Sequence, residues 1–239
     1  MNKKIFLFIL CLFLLAGIAW AAGEPQLTAP GGGEFDLVQN VVKYYGISSR
    51  QVEARWGDYQ LLADYLEYHH TQRMIVARGR VVIYQNNTPE KRKVQSAEIT
   101  FDLNKNLIIA KEQVMIQVDT SIRAQGGYLE WDRANDQFKL MNDPQIEYDD
   151  WKITGKIVEG QLKSGIMTLI GPVYGANQDT VIKAGRLIAE RQKEVFYLQD
   201  NPVVIRGKNE LSANEIIYDL KTKKVSAKGI LKTKITENN

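Results

Sequence analysis

Three aspartates recur at one position of a repeating pattern: Asp102, Asp132 and Asp219 each directly follow an aromatic residue, Phe101, Trp131 or Tyr218. Two carboxylates held a few ångström apart are what glycoside hydrolysis needs, one as acid and the other as base or nucleophile. Each of these three, however, opens a polar turn. Aspartate is favoured there because its side chain accepts hydrogen bonds from its own turn, and the turn role outweighs the catalytic one. Glu147, Asp149 and Asp150, ahead of Trp151, read as a solvated turn in the same way. His69 and His70 are the only histidines. Adjacent strand residues point to opposite faces, so the pair makes a poor metal site, and no metal ligand set or cofactor is expected. No nucleophile elbow, phosphate loop or His-Glu-x-x-His helix is present.

The elements that carry these residues are set by periodicity. After Arg50 the apolar pattern alternates, beginning with Val52, Ala54 and Trp56. Six copies of one unit follow, anchored at Tyr68, Phe101, Trp131, Gly160, Ala189 and Tyr218, with spacings of 33, 30, 29, 29 and 29 residues. Fixed spacing of this kind is the mark of a repeat architecture. Two residues before each anchor stand Leu66, Ile99, Leu129, Val158, Leu187 and Ile216. Seven after it stand Ile75, Ile108, Phe138, Met167, Phe196 and Val225, and nine after it Ala77, Ala110, Leu140, Leu169, Leu198 and Ala227.

Steps of two within each arm mark one face of a strand, and Glu67, Thr100, Glu130, Arg78 and Lys111 fall on the other. Each unit therefore reads as a β-hairpin, apolar on one side, giving about thirteen strands. Pro144 and Pro202 share one offset, and proline cannot donate to a ladder, so strand edges or bulges are expected there. A single hairpin is marginal alone. The array buries its apolar face only by rolling over or doubling back, which predicts an elongated all-β molecule with an apolar interior and two unpaired sheet ends.

The preceding segments read differently. Residues 1–21 combine Lys3 and Lys4, an apolar stretch and Ala19-Trp20-Ala21, the form of a signal peptide, with an uncleaved membrane anchor as the rival. Residues 22–35 contain Pro25, Pro30 and Gly31-Gly32-Gly33 and read as a linker. Residues 36–50 read as a short helix and lead-in, with Asp36 as N-cap, Leu37, Val38, Val41, Val42 and Tyr45 on one face and Gly46 as the stop. Residues 51–236 form the repeat domain. Cys11, the lone cysteine, lies in the signal segment, so no disulfide is expected in the exported chain. A formal charge of +3, two units of it from Lys3 and Lys4, gives no support to nucleic-acid binding.

The wording of the repeat carries a resemblance. Leu62-Ala63-Asp64-Tyr65-Leu66-Glu67-Tyr68, followed by Ile75-Val76-Ala77-Arg78-Gly79-Arg80-Val81, and Leu211-Ser212-Ala213-Asn214-Glu215 with Ala227-Lys228-Gly229-Ile230, are similar to the alanine-aspartate and glycine-x-valine pattern of the OstA-like, LptA-type periplasmic proteins of lipopolysaccharide transport. The resemblance covers roughly residues 51–235. It implies an open β-jellyroll, with no enzymatic activity and no cofactor, whose apolar interior shelters lipid acyl chains. It also implies end-to-end strand pairing, as a head-to-tail homo-oligomer or with similar β-jellyroll domains of inner- and outer-membrane transport components.

Carried over by offset, the lipid-binding residues are Ile75, Ile99, Phe101, Ile108, Ile116, Leu129, Trp131, Phe138, Leu140, Leu169, Phe196, Leu198, Ile216 and Tyr218. Gly160 and Ala189 replace aromatics, which implies a narrower or shallower groove around the fourth and fifth units. Lys91-Arg92-Lys93 reads as a solvated hairpin tip, with contact to sugar phosphates as the alternative. Asn86-Asn87-Thr88, a formal glycosylation triplet, reads as a loop. The expected function is a periplasmic lipopolysaccharide carrier and bridge. The alternative is an envelope module that assembles by strand pairing and binds no lipid.

Overall fold

The computed structural model describes residues 25–86 and 92–235. The stretch read as a signal peptide, together with Asn87, Thr88 and Lys91, lies outside them. The fold is all-β: a 22-stranded antiparallel sheet and one short 3₁₀ turn, Arg191–Lys193, among the described residues.

The sheet is two ladders that share six long strands: Met74–Gln85, Arg92–Asp102, Leu107–Gln117, Ile122–Asp132, Ile166–Ala176 and Thr180–Glu190. One half of each long strand pairs in the first ladder and the other half in the second. The first ladder begins at Gly33–Asp36 and ends at Val225–Lys228. The second begins at Gln26–Thr28 and ends at Lys232–Lys234. This doubling is why the strand segments outnumber the thirteen arms expected from the repeat.

The register of the first ladder accounts for the repeat offsets. One inward row runs Val42, Tyr68, Ile75, Phe101, Ile108, Trp131, Phe138, Gly160, Met167, Ala189, Phe196, Tyr218, Val225, each residue directly opposite the next. The neighbouring row contains Leu66, Ala77, Ile99, Ala110, Leu129, Leu140, Val158, Leu169, Leu187, Leu198 and Ile216. Every one of these is almost wholly buried. Fully burying a side chain of this size is worth about 1.5–3 kcal/mol, and these rows share the core with second-ladder residues such as Leu61, Ile83, Ile146, Trp151 and Ile153.

The crease between the ladders is built from bulges and left-handed residues. Register shifts fall at Arg78/Val81, Gln95/Glu98, Gly126/Tyr128 and Ile170/Val173. Arg80, Glu112, Gln113, Asn142, Asp143, Asp200 and Asn201 there have positive φ. Pro144 and Pro202 lie in gaps between strand segments, as a missing N–H requires.

The alanine-aspartate and glycine motif has its physical reason at the same crease. Gly79 has φ 74°, and a Cβ on it would lie 2.8 Å from Asp64 Oδ2. Arg80 holds that Asp64 carboxylate through its Nη2 at 2.6 Å and its Nε at 2.9 Å. Asn214 fills the same place beside Gly229 and accepts from the Ile230 N–H at 2.7 Å. Asn142 with Gly127 and Asp200 with Gly185 repeat the arrangement.

Two expectations are corrected. Residues 36–50 do not form a helix: Val41–Tyr45 is a strand that pairs with Gly33–Asp36 and Tyr65–His69. Asp36 does cap, but it caps a tight turn, accepting from the N–H groups of Val38 and Gln39 at 2.9 Å. The β-branched Val41 and Val42 and the two tyrosines favour a pleated surface, and a partner strand was available. The stretch read as a linker carries the strands Gln26–Thr28 and Gly33–Asp36, because each ladder's first long pairing leaves an edge to be covered.

Candidate functional site: a gap between two aromatic plugs

The two ladders meet through rings. Trp56, on the second ladder, stacks on Phe101 of the first with centroids 5.1 Å apart, and Tyr59 meets Trp131 edge-on at 6.3 Å. Farther along, Trp151 packs against Phe196 at 5.5 Å and Tyr218 at 5.3 Å, with Tyr148 also on Phe196. These are two aromatic plugs, and between them the anchor positions are occupied by Gly160 and Ala189.

The interior is not filled at that point. A cavity of about 60 Å³ lies between the ladders, lined on one side by Leu129, Trp131, Phe138, Leu162, Met167 and Ala189 and on the other by Val94, Ile116, Val118, Ile122, Ala124, Ile146 and Tyr148. Its polar rim contains Arg92, Lys93, Gln117, Gln161 and Arg191. Space of this size holds a few waters at most. Anything larger has to displace lining such as Met167, which is only partly buried.

The fourteen residues carried over by offset all belong to this interior. Twelve are in the core cluster, while Phe138 and Ile116 pack against it half-buried. Only Ile116, Leu129, Trp131 and Phe138 touch the cavity. Ile75, Ile99, Ile108, Leu140, Leu169, Leu198 and Ile216 are sealed in the rows beside it, and Phe101, Phe196 and Tyr218 sit in the plugs. Gly160 makes room for the Phe138 ring, since a Cβ there would lie 2.8 Å from Phe138 Cε1 and 2.6 Å from the Ile166 carbonyl. The fourth unit is therefore not an empty position, because its neighbour's aromatic occupies it.

The carboxylates are used by their turns. Asp102 Oδ1 accepts from the N–H groups of Asn104 and Lys105 at 3.0 Å. Asp132 accepts from the N–H and side-chain amide of Asn135, and Asp219 from the Thr222 N–H at 2.7 Å. His69 bonds Glu67 at 3.2 Å, while the His70 ring packs on Tyr68. Among the described residues no three candidate metal ligands converge, and no helix is long and apolar enough to cross a membrane.

One ion pair spans the ladders at the rim: Arg191 with Asp119. Burial pushes the Asp119 carboxyl up, but hydrogen bonds from the Ser121 hydroxyl and N–H and the Ile122 N–H, with the Arg191 charge, outweigh it and hold the group below its usual range. A carboxyl with a depressed folded pKa contributes stability above its unfolded pKa and loses it as pH falls. Asp119→Asn is thus expected to cost roughly 2 kcal/mol at pH 7. In urea titrations that difference should shrink as pH drops below about 3.9; a difference independent of pH would mean that the charge is not what matters.

No family model and no curated protein matches the chain. Among solved structures, the chain is similar to LptH. That structure is described as the LptA homologous periplasmic component of the conserved lipopolysaccharide transport device from Pseudomonas aeruginosa. The TM-score is 0.46 at 19% sequence identity, over 48% of this chain and 95% of that one.

Sequence reasoning missed the second ladder's share of the cavity and the inward placement of Arg92. In Arg92–Asp102, Ile122–Asp132 and Thr180–Glu190 the bulge reverses which parity faces in, so that Val94 and Ile99 share a buried side, and offsets counted back from the anchors fail there. Val81, Val114 and Val173, past the crease on the other long strands, keep theirs.

Proposed function

We propose that this protein is a non-enzymatic periplasmic carrier and bridge for lipopolysaccharide or a similar amphiphile. The observation that supports it most directly is the apolar gap between Trp131 and Phe196, flanked by ring plugs and opening between basic rim residues. Acyl chains enter the gap while the sugar portion stays in water, at about 0.8 kcal/mol for each methylene buried. The process is passive; direction has to come from an energy-coupled partner.

The ends fit assembly with similar β-jellyroll domains of inner- and outer-membrane components, or with further copies head to tail. At one end Gly33–Asp36 leaves Phe35 half exposed, and at the other Val225–Lys228 and Lys232–Lys234 leave Leu231 and Ile235 in solvent. Unpaired edges of this kind template strand addition.

A second reading, an envelope module that binds no lipid, is favoured by how completely the core is filled outside the gap. Photo-crosslinking separates the two. A crosslinker at Phe138 is expected to label lipopolysaccharide in cells, whereas one at the outward Glu130 is not. Labelling from Glu130 alone, or lipid-free protein by mass spectrometry of material purified from its native envelope, defeats the carrier.

A further inference from the structure

The rim of the gap contains donors without acceptors. Arg92 pairs with Gln85, and Gln85 with Tyr59, along the inward row of the second ladder nearest the opening. Elsewhere that row carries Ile122, Tyr148 and Trp151. A guanidinium is costly in such a row unless something neutral or negative meets it. Arg92 Nε is buried and has no hydrogen-bond partner, and Arg92 makes no ion pair among the described residues.

Across the opening, the Arg133 guanidinium lies 3.7 Å from the Tyr59 ring centroid, and its Nε also lacks a partner. Tyr59 is two strands from Arg92, about 10 Å at ordinary ladder spacing. Arg92 lines the gap, and Arg133 stands beside it, over the Tyr59 and Phe101 rings of the adjoining plug. Trp131, only 5% exposed, lines the gap with an unpaired Nε1–H, and Gln85 Oε1 is a buried acceptor likewise without a donor. Arg191 differs: its counter-charge is Asp119, from within the chain.

We propose that Arg92 and Arg133 form an anion subsite at the mouth of the gap, for the phosphate of an amphiphile whose acyl chain occupies the interior. This rests on the carrier reading and narrows its ligand to phosphorylated headgroups. The phosphate oxygens accept from the two guanidiniums, a bidentate match that ammonium groups do not offer. A hydroxyl beside the phosphate donates to Gln85 Oε1, and an ester or amide carbonyl at the head of the chain accepts from Trp131 Nε1–H.

The test uses the full exported chain and three probes below their micellar concentrations: 1-palmitoylglycerol 3-phosphate, 1-palmitoylglycerol and inorganic phosphate, followed by tryptophan fluorescence and calorimetry. The wild type is expected to bind the phosphate-bearing amphiphile at least tenfold tighter than the neutral one, about 1.4 kcal/mol. Arg92→Gln should lose most of that preference, and Arg92→Lys should recover part of it. Equal affinity of the wild type for both amphiphiles overturns the subsite and leaves the carrier standing. Equal loss of affinity for both in Arg92→Gln also overturns the subsite, marking Arg92 as structural. Inorganic phosphate bound as tightly as the amphiphile replaces it with a free-anion site. Failure to bind either amphiphile removes the carrier reading itself.

Discussion

Phe196→Ala is expected to lower the unfolding free energy by about 3–5 kcal/mol, the range for emptying a buried aromatic site. The ring is fully buried, directly opposite Ala189 and Tyr218 in its own ladder, and it contacts Tyr148 and Trp151 from the other. Those neighbours cannot collapse inward, because each is fixed by a ladder of backbone hydrogen bonds. At roughly 2–4 °C for each kcal/mol in a chain of this size, the melting temperature should fall by about 6–20 °C. Urea unfolding followed by circular dichroism measures the change. A loss under about 1 kcal/mol, typical of a surface site, would mean that the ladders do not close on one another there.

The second large effect concerns the gap. Ala189→Phe restores an aromatic where the third and sixth units have one, and its ring points into the cavity that Ala189 now lines. Uptake of a fluorescent acyl probe should weaken at least tenfold, about 1.4 kcal/mol. Overpacking should cost about 1–3 kcal/mol of stability, which leaves the chain folded. Ala227→Phe makes the same change at an exposed strand outside the gap and should leave uptake intact. If both variants bind the probe as the wild type does, the amphiphile does not use this space.

Much of the first ladder was legible in the sequence. Period-two spacing within each arm, and near-constant spacing between arms, place Ile99, Leu129, Leu187 and Ile216 on one row without any structural information. What was not legible has specific causes. A bulge inserts a residue that no hydrophobicity pattern announces, so Arg92 appears to sit on a solvated tip when it turns inward. Gly160 reads as a shallow place because sequence does not show that Phe138, on the adjacent strand, leans over it. Leu37, Val38, Val41 and Val42 fit a helical face as well as a hairpin. The availability of Tyr65–His69 as a partner decided between them, and that is a property of the whole sheet.

The crease pairing of Asp64 with Gly79, repeated by Asn214 with Gly229, has a consequence for size. Each such pair joins strands within one unit, and the unit contributes two strands to either ladder. Duplication of a unit therefore lengthens the molecule by about 10 Å without disturbing contacts elsewhere. The length of a molecule of this kind grows in fixed increments, set by copy number as the length of a chain is set by its links.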